Sequence, residues 1–335
     1  NVQARSSYYI TKTQTIYTHQ YYDNKRLVGV GVLFHEITHH FVRLNFPNVP
    51  TWFNEGLADF FGIETRIVKG KATLGVPYPA GDYRLKEQIE KGTIPNVRKL
   101  FAMDDRRLYS WPIGYFFSRA FFYWLYENKE LEQYLRNVQS EGYDLSVLEK
   151  TVHKPVSQIN KELLTFIKTD CYAGAYIYES RHSSDPNQQA LLKALELKPR
   201  YARARLNLAR NCYRAKDYKQ TRQYLELILR DDASPEYQYA SELMGDCFQA
   251  EENYERALQY YQNALEYADY DEHKYELYYW IAQCYDNLKD RQRAEEFYQK
   301  FLAENWEQEK SPDLIKYASD YQEQEQEDSE ETGSN

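Results

Sequence analysis

The sequence predicts a mostly helical α+β chain, in which a mixed first domain precedes an all-α helical solenoid. The first 165 residues do not repeat, and their pattern changes from polar–apolar alternation to a helical period. From about residue 186 the chain repeats itself every 36 or 37 residues. We therefore expect a domain at 1–168, repeats at 169–310 and an acidic, disordered tail at 311–335.

The first domain is expected to start with strands. The segment SSYYITKTQTIYTHQYY alternates polar and apolar residues, which predicts one or two strands with a hairpin near Lys12–Thr13. The next segment, DNKRLVGVGVLFHEITHHFVRLNF, has a helical pattern that Asp23 or Asn24 can cap and that Pro47 ends.

Helices are expected to dominate the rest of this domain. TWFNEGLADFFG reads as a helix from an N-cap at Thr51 to Gly62, and a loop or short strand follows to about residue 84. Residues 108–127 predict a largely buried helix entered at Pro112, and residues 129–168 predict further helix.

Three later segments, near 202–235, 238–271 and 275–308, share one pattern. Each has a small residue in its first helix, a compact residue twelve positions later and a large residue four beyond that. These residues are Ala209, Thr221 and Leu225; Gly245, Ala257 and Tyr261; and Ala282, Ala294 and Tyr298. Small residues allow two antiparallel helices to approach closely. The pattern resembles the tetratricopeptide repeat, which implies a concave face that holds a protein or peptide partner.

Charge and cysteine content exclude several classes of function. The net charge is −9, and six acidic residues in the last 13 positions account for most of it, so the remainder is near −3. This balance gives no electrostatic basis for binding nucleic acid or an anionic membrane. No apolar run is long enough to span a membrane. The four cysteines contain no C-x-x-C pair, and Cys212, Cys247 and Cys284 are expected to be reduced, buried small hydrophobes.

The segment VLFHEITHHFVRLNF carries the chemistry-bearing residues of the chain. His35 and His39 are four residues apart, so a helix places them on one face, where both can bind one zinc ion. Glu36 stands beside the first histidine, in the position of a general base in an H-E-x-x-H motif. His40 is rotated by about 100° from His39 and is expected to lie in a second layer around the site or to serve packing.

The following helix offers a third ligand and two supporting residues. Glu55 lies close enough along the chain for a helix–loop–helix return to bring it to the two histidines. Asp59, four residues further, can accept the outer N–H of one histidine, and Asn54 can serve the other. Zinc is the expected cofactor.

HEITH followed by WFNEGLADFF resembles the gluzincin peptidases, and most closely the bacterial peptidase-MA-like domains that often precede tetratricopeptide repeats. The resemblance implies zinc bound by His35, His39 and Glu55, and Glu36 as catalytic base. Only 34 residues precede His35, so a gluzincin-like domain is expected to lack part of its sheet. The resemblance also implies an oxyanion-stabilising side chain, for which Tyr109 and Tyr115 are candidates and His153 a third. The strand QTIYT is a candidate edge for pairing with an extended substrate.

The sequence therefore predicts a zinc metallopeptidase whose repeats bind a protein or peptide partner. The alternatives are a repeat scaffold with an inactive or incomplete peptidase-like module, and a zinc hydrolase of non-peptide amides. No G-x-M-E-N segment supports an aminopeptidase. The compartment stays open, and the resemblance leans toward an exported bacterial protein.

Overall fold

The structure, a computed structural model, describes residues 8–10, 15–17, 22–23, 26–27, 29–63, 65–68, 71–182, 188–231, 234–268, 271–303, 314–319 and 321. The chain divides into two compact units, one of Asn1–Ile67 with Ala72–Ala204 and one of Val68–Lys71 with Arg205–Asn335. Within the described ranges, none of the helices combines the length and apolar character that a membrane crossing requires.

The described strands form three separate two-stranded sheets. These pair β1 (Tyr8–Ile10) with β2 (Thr15–Tyr17), β3 (Tyr22–Asp23) with β4 (Arg26–Leu27), and β5 (Arg66–Val68) with β6 (Lys71–Thr73). The first two pairs are antiparallel. The predicted hairpin is thus confirmed, although its turn at Lys12–Thr13 lies outside the described residues.

The predicted α+β fold class is wrong. Strands of two or three residues in isolated pairs cannot provide the layer against which helices pack in an α+β domain. The described part of the chain is a helical fold, and it contains no gluzincin-like sheet, whole or truncated. The prediction relied on the motif resemblance, whereas the apolar spacing after residue 79 is helical almost throughout.

Helices make up most of the first unit. They are α1 (Gly29–Asn45), α2 (Thr51–Gly62), α3 (Pro79–Glu90), α4 (Val97–Phe101), α5 (Asp105–Ser110), α6 (Gly114–Glu127), α7 (Leu131–Glu141), α8 (Leu145–Val152), α9 (Val156–Phe166), a π-helical turn (Ile167–Cys171), α10 (Tyr172–His182) and α11 (Gln188–Leu197).

Two helix boundaries differ from the prediction. α1 begins at Gly29 and not next to the predicted cap at Asp23 or Asn24. Asp23 belongs to β3. The helix expected over 108–127 is divided, since α5 ends at Ser110 and α6 begins only at Gly114, after Pro112. The division places Tyr109 and Tyr115 on different helices.

Aromatic side chains form the core around α2 and α6. Trp52 and Phe53 are buried at the start of α2, and their rings lie 6.2 and 5.2 Å from that of Phe122 on α6. Burying a large apolar side chain stabilises a fold by about 1.5–3 kcal/mol. This packing fixes α2, which carries Glu55 and Asp59, on α6.

The helices α10 and α11 belong to the first unit. α10 packs along α3, and Gly174 of α10 lies against the buried Asp82 of α3. Asp82 in turn lies 3.8 Å from the buried Arg119 of α6. The division between the two compact units falls near residue 204. The boundary at 168 between the first domain and the repeats stays a prediction.

The second unit is a series of helix pairs. They are α12 (Ala202–Arg214) with α13 (Tyr218–Ile228), α14 (Tyr237–Ala250) with α15 (Tyr254–Glu266), and α16 (Asp271–Asn287) with α17 (Arg291–Ala303). Residues 314–319, within the segment 311–335 that was predicted as an acidic, disordered tail, are also helical. Residues 322–335, where disorder was predicted, lie outside the described residues.

The turns inside the three pairs share one conformation. Lys216, Glu252 and Lys289 each adopt a left-handed conformation, with φ of 60°, 58° and 64°. The next residue caps the second helix, as Asp217 does by accepting the N–H of Gln220. The repeating sequence therefore encodes a repeating turn as well as a repeating core.

The small residues of the repeats lie at helix contacts, as predicted. Ala209 and Ala282 are fully buried, and a Cβ on Gly245 would lie 2.6 Å from the ring of Tyr261. Tyr261 and Tyr298 are themselves fully buried. Tyr261 thus occupies the space that Gly245 leaves open.

Candidate metal centre

The helices α1 and α2 bring His35, His39 and Glu55 together. The Nε2 atoms of the two histidines, one turn apart on α1, are 3.0 Å from each other. Glu55 Oε2 on α2 lies 3.9 Å from each of them. In the part of the chain that the structure describes, these residues form the one group of three potential metal ligands.

Glycines allow α2 to lie close to its neighbours on both sides. A Cβ on Gly62 would meet the Cβ, Cα and N atoms of His35 at 2.6–2.7 Å, so α2 touches the α1 backbone at a metal-ligand position. On the other side, Gly56 faces Ser118 of α6, whose hydroxyl donates to the carbonyl of Trp52. The position of Glu55 relative to the histidines therefore depends on two close helix contacts.

Asp59 orients His35. Its Oδ1 atom lies 3.0 Å from His35 Nδ1, and its side chain is 1% exposed. Because Nδ1 donates to this carboxylate, a neutral His35 ring presents its lone pair at Nε2, toward His39 and Glu55. Burial disfavours the charged imidazolium, but the hydrogen bond and charge of Asp59, with the charges of Glu55 and Glu36, outweigh it and raise the pKa of His35.

The outer nitrogen of His39 does not have the partner that the sequence predicted. Asn54 was expected to pair with the second histidine, but His39 Nδ1 is buried and has no hydrogen-bond partner among the described residues. The ring of His39 is instead held edge-on to that of His35, with centroids 4.6 Å apart.

The two candidate tyrosines have separate contacts. The hydroxyl of Tyr109 donates to Glu55 Oε1 over 3.2 Å, and the residue is 63% exposed. The hydroxyl of Tyr115 donates to Asp59 Oδ1 over 3.0 Å. Burial and the charges of Asp59 and Glu55 raise the pKa of Tyr115 far above its ordinary value, so this hydroxyl is a neutral donor. His153 ends α8 in a left-handed conformation at an exposed position.

Glu36 follows His35 on α1 and is 8% exposed. Its charge is the smallest of the contributions that raise the pKa of His35. His40 is half-buried and is not part of the ligand group among the described residues.

The three ligand atoms fit a zinc ion. A triangle with sides of 3.0, 3.9 and 3.9 Å has a circumscribed radius of about 2.1 Å, so this is the shortest distance at which one ion can lie equally far from all three atoms, and it is within the range of zinc–nitrogen and zinc–oxygen bonds. Two imidazoles and one carboxylate are also a common donor set of catalytic zinc. The lone pair on His35 Nε2 faces a second nitrogen at 3.0 Å, a contact that a cation or a shared proton would stabilise.

The repeat unit contains a polar chain of side chains between its helices. Tyr261 donates to Asp246 over 2.8 Å and contacts Gln249 at 2.6 Å, and Gln249 donates to Gln283 of the next pair over 3.1 Å. Burial raises the pKa of Asp246 to about 6. Nη1 of Arg222 on α13 donates to both carboxylate oxygens of Glu251, each at 2.7 Å.

The cysteine prediction is confirmed. All four cysteines are free and buried, and burial is the main cause that raises the pKa of Cys247 and Cys284 to about 12. Thiols with such pKa values are poor nucleophiles and metal ligands.

Comparison with known families supports the repeat prediction. A family description, tetratricopeptide repeat, matches residues 275–305, which include most of α16 and all of α17. A search of curated proteins found no match. The chain thus contains a tetratricopeptide repeat, and this class of repeat indicates a protein partner.

Sequence reasoning missed two residues that shape the candidate centre. It did not predict the contact of Gly62 with His35, and it assigned Tyr115 to an oxyanion and not to Asp59. The only available signal for Gly62 was its place at the end of the predicted helix.

Proposed function

We propose that this protein is a zinc-dependent hydrolase of peptide bonds whose helical repeats bind a protein or peptide partner. The observation that supports the proposal best is the triangle of His35 Nε2, His39 Nε2 and Glu55 Oε2. The likeness to gluzincins is one of sequence motif alone, and the proposal does not depend on their fold.

His35, His39 and Glu55 would hold the ion. A zinc ion bound there supplies Lewis acidity, lowering the pKa of water to about 7 and polarising a carbonyl. Asp59 keeps His35 in the tautomer whose Nε2 lone pair faces the site. Tyr109, which contacts Glu55, is exposed, so a substrate would reach the group from this side.

Glu36 and Tyr109 would carry the proton and charge steps. Glu36 accepts a proton from the attacking water as the new carbon–oxygen bond forms, and donates it to the amine when the carbon–nitrogen bond breaks. The hydroxyl of Tyr109, which contacts Glu55 in this structure, would donate to the substrate oxygen as negative charge develops on it.

The test compares Glu36→Gln with wild type on zinc-loaded full-length protein, using a fluorescently labelled unfolded protein as substrate. We expect equal zinc content and a loss of hydrolysis by about 10²–10⁴-fold, as is usual for removal of a general base. Glu132→Gln, which alters an exposed glutamate paired with Arg136, serves as the control and should keep full activity. Chelator-insensitive cleavage, or equal activity in both variants, would contradict the proposal.

A second candidate function is a binding scaffold in which the repeats alone carry the function. The tetratricopeptide repeat match at 275–305 favours it, because this class of repeat binds proteins and performs no chemistry. In that case zinc would stabilise α1 and α2 without turnover. Zinc-loaded protein would then show a higher melting temperature than metal-free protein but no cleavage of any labelled substrate.

A further inference from the structure

Asp59 is held by two donors that converge on one of its oxygens. His35 Nδ1 and the hydroxyl of Tyr115 each lie 3.0 Å from Asp59 Oδ1. Asp59 Oδ2 is buried and has no hydrogen-bond partner among the described residues. The orientation of the carboxylate is therefore set at Oδ1, and half of its hydrogen bonds come from Tyr115.

Tyr115 lies on a closely packed helix of the first unit. This helix, α6, buries Gly114, Phe117 and Ser118, and it packs on α2 through the Gly56–Ser118 contact. The hydroxyl thus reaches Asp59 from a fixed position. A side chain that donates from a fixed position restricts rotation of its acceptor more than a water molecule would.

We propose that Tyr115 is a positioning residue for the metal centre, which acts through Asp59 on the orientation and tautomer of His35. This inference rests on the proposed metal site but not on the proposed hydrolysis. Without the Tyr115 hydroxyl, Asp59 keeps one donor and can rotate away from His35. The His35 ring then loses the contact that keeps its proton on Nδ1 and its lone pair on Nε2.

The first experiment measures zinc affinity of the full chain by competition with a chromophoric chelator. We expect Tyr115→Phe to bind one zinc ion per chain with an affinity about tenfold lower, at the low end of the range for partners of metal ligands. Tyr134→Phe is the matched control, because it removes a buried hydroxyl that has no hydrogen-bond partner among the described residues. Its affinity should equal that of wild type, and equal affinity of Tyr115→Phe would overturn the inference.

A double-mutant cycle separates action through Asp59 from a general effect on folding. In an Asp59→Ala background, Tyr115→Phe should cause no further loss of zinc affinity, because its acceptor is gone. A full additional tenfold loss there would show that Tyr115 acts by another route, and would refute the positioning role.

The tautomer of His35 supplies a readout that needs no metal. Nitrogen-15 NMR of metal-free wild type should show His35 protonated at Nδ1 at a pH where its ring is neutral, and Tyr115→Phe should show a mixture of both tautomers. An unchanged tautomer in the variant would contradict the inference. If wild type bound no zinc yet showed this tautomer shift, the metal proposal would fail while the contact from Tyr115 through Asp59 to His35 would stand.

Discussion

Gly62→Ala tests how closely α1 and α2 must pack to bring the ligand atoms together. A Cβ at this position would lie 2.6 Å from His35 Cβ and 2.7 Å from His35 Cα and N. Two of these atoms are backbone, so a change of rotamer cannot relieve the contact. The two helices would have to separate by about 0.8 Å to restore a tolerable spacing of about 3.4 Å.

Such a separation changes the geometry of the ligand group. It lengthens the two distances from Glu55 Oε2 to the histidine nitrogens from 3.9 Å to about 4.7 Å. The circle through the three ligand atoms then grows in radius from about 2.1 to about 2.5 Å, beyond ordinary zinc bonds. We expect zinc affinity to fall by about 10–100-fold, as it does when the support of metal ligands is lost.

Gly62→Ala should also fail to raise the free energy of unfolding, unlike most replacements of glycine by alanine in a helix. Replacing glycine by alanine inside a helix ordinarily stabilises it by about 1 kcal/mol. Overpacking against the His35 backbone costs about 1–3 kcal/mol, which offsets or exceeds that gain. The variant should therefore be as stable as wild type or less stable by up to about 2 kcal/mol.

The assay is chelator competition for zinc, together with urea unfolding of the full chain. Gly245→Ala is a matched control, because its Cβ would also meet a neighbour at 2.6 Å, the ring of Tyr261 in the repeats. It should destabilise the repeats and leave zinc affinity unchanged. A Gly62→Ala protein with wild-type zinc affinity would refute the argument that this helix contact sets the ligand geometry.

Further predictions concern pH and the repeats. Burial raises the pKa of Asp246 to about 6, so the folded repeats bind a proton at this carboxylate more tightly than the unfolded chain does. The resulting stabilisation is complete below about pH 4 and is lost as the pH rises through 6. Urea unfolding at a series of pH values should show this change, up to about 3 kcal/mol in the free energy of unfolding, in wild type and in the control Glu226→Gln, which alters an exposed residue. Asp246→Asn should not show it. The pKa of His35 is raised above 6.5, so protons should compete with zinc for this ring already at a pH above 6.5. Zinc affinity should therefore decrease as the pH is lowered, and an unchanged affinity down to pH 5 would contradict this prediction. Asn253→Ala should lower the melting temperature, because loss of the N-cap of α15 costs about 1 kcal/mol of stability. Asn253→Asp keeps a capping side chain and should have the melting temperature of wild type.

The sequence could predict features that depend on fixed spacing. His35 and His39 share a helix face at any i, i+4 separation, and the short loop before Thr51 limits where Glu55 can lie. The repeats follow from a period that recurs three times, so the burial of Gly245 and Tyr261 could be foreseen.

Features that depend on tertiary contacts could not be predicted. The chain has 34 tyrosines, and nothing local distinguishes Tyr115 from the others until α6 is placed beside α2. The predicted fold class was wrong for a related reason: a short motif can occur without the sheet that usually accompanies it. Asn54 was expected to contact His39, but its place on α2 does not bring it to Nδ1.

The most direct test of the metal centre is the metal content of the full chain, measured by elemental mass spectrometry on wild type and Glu55→Ala in parallel. We expect one zinc ion per chain in wild type after zinc is supplied and excess metal removed. Glu55→Ala should lose it or bind it far more weakly, because two histidines remain from a three-ligand group. A wild-type protein that stays free of metal after zinc is added back would contradict the account, and the repeats would then carry the function.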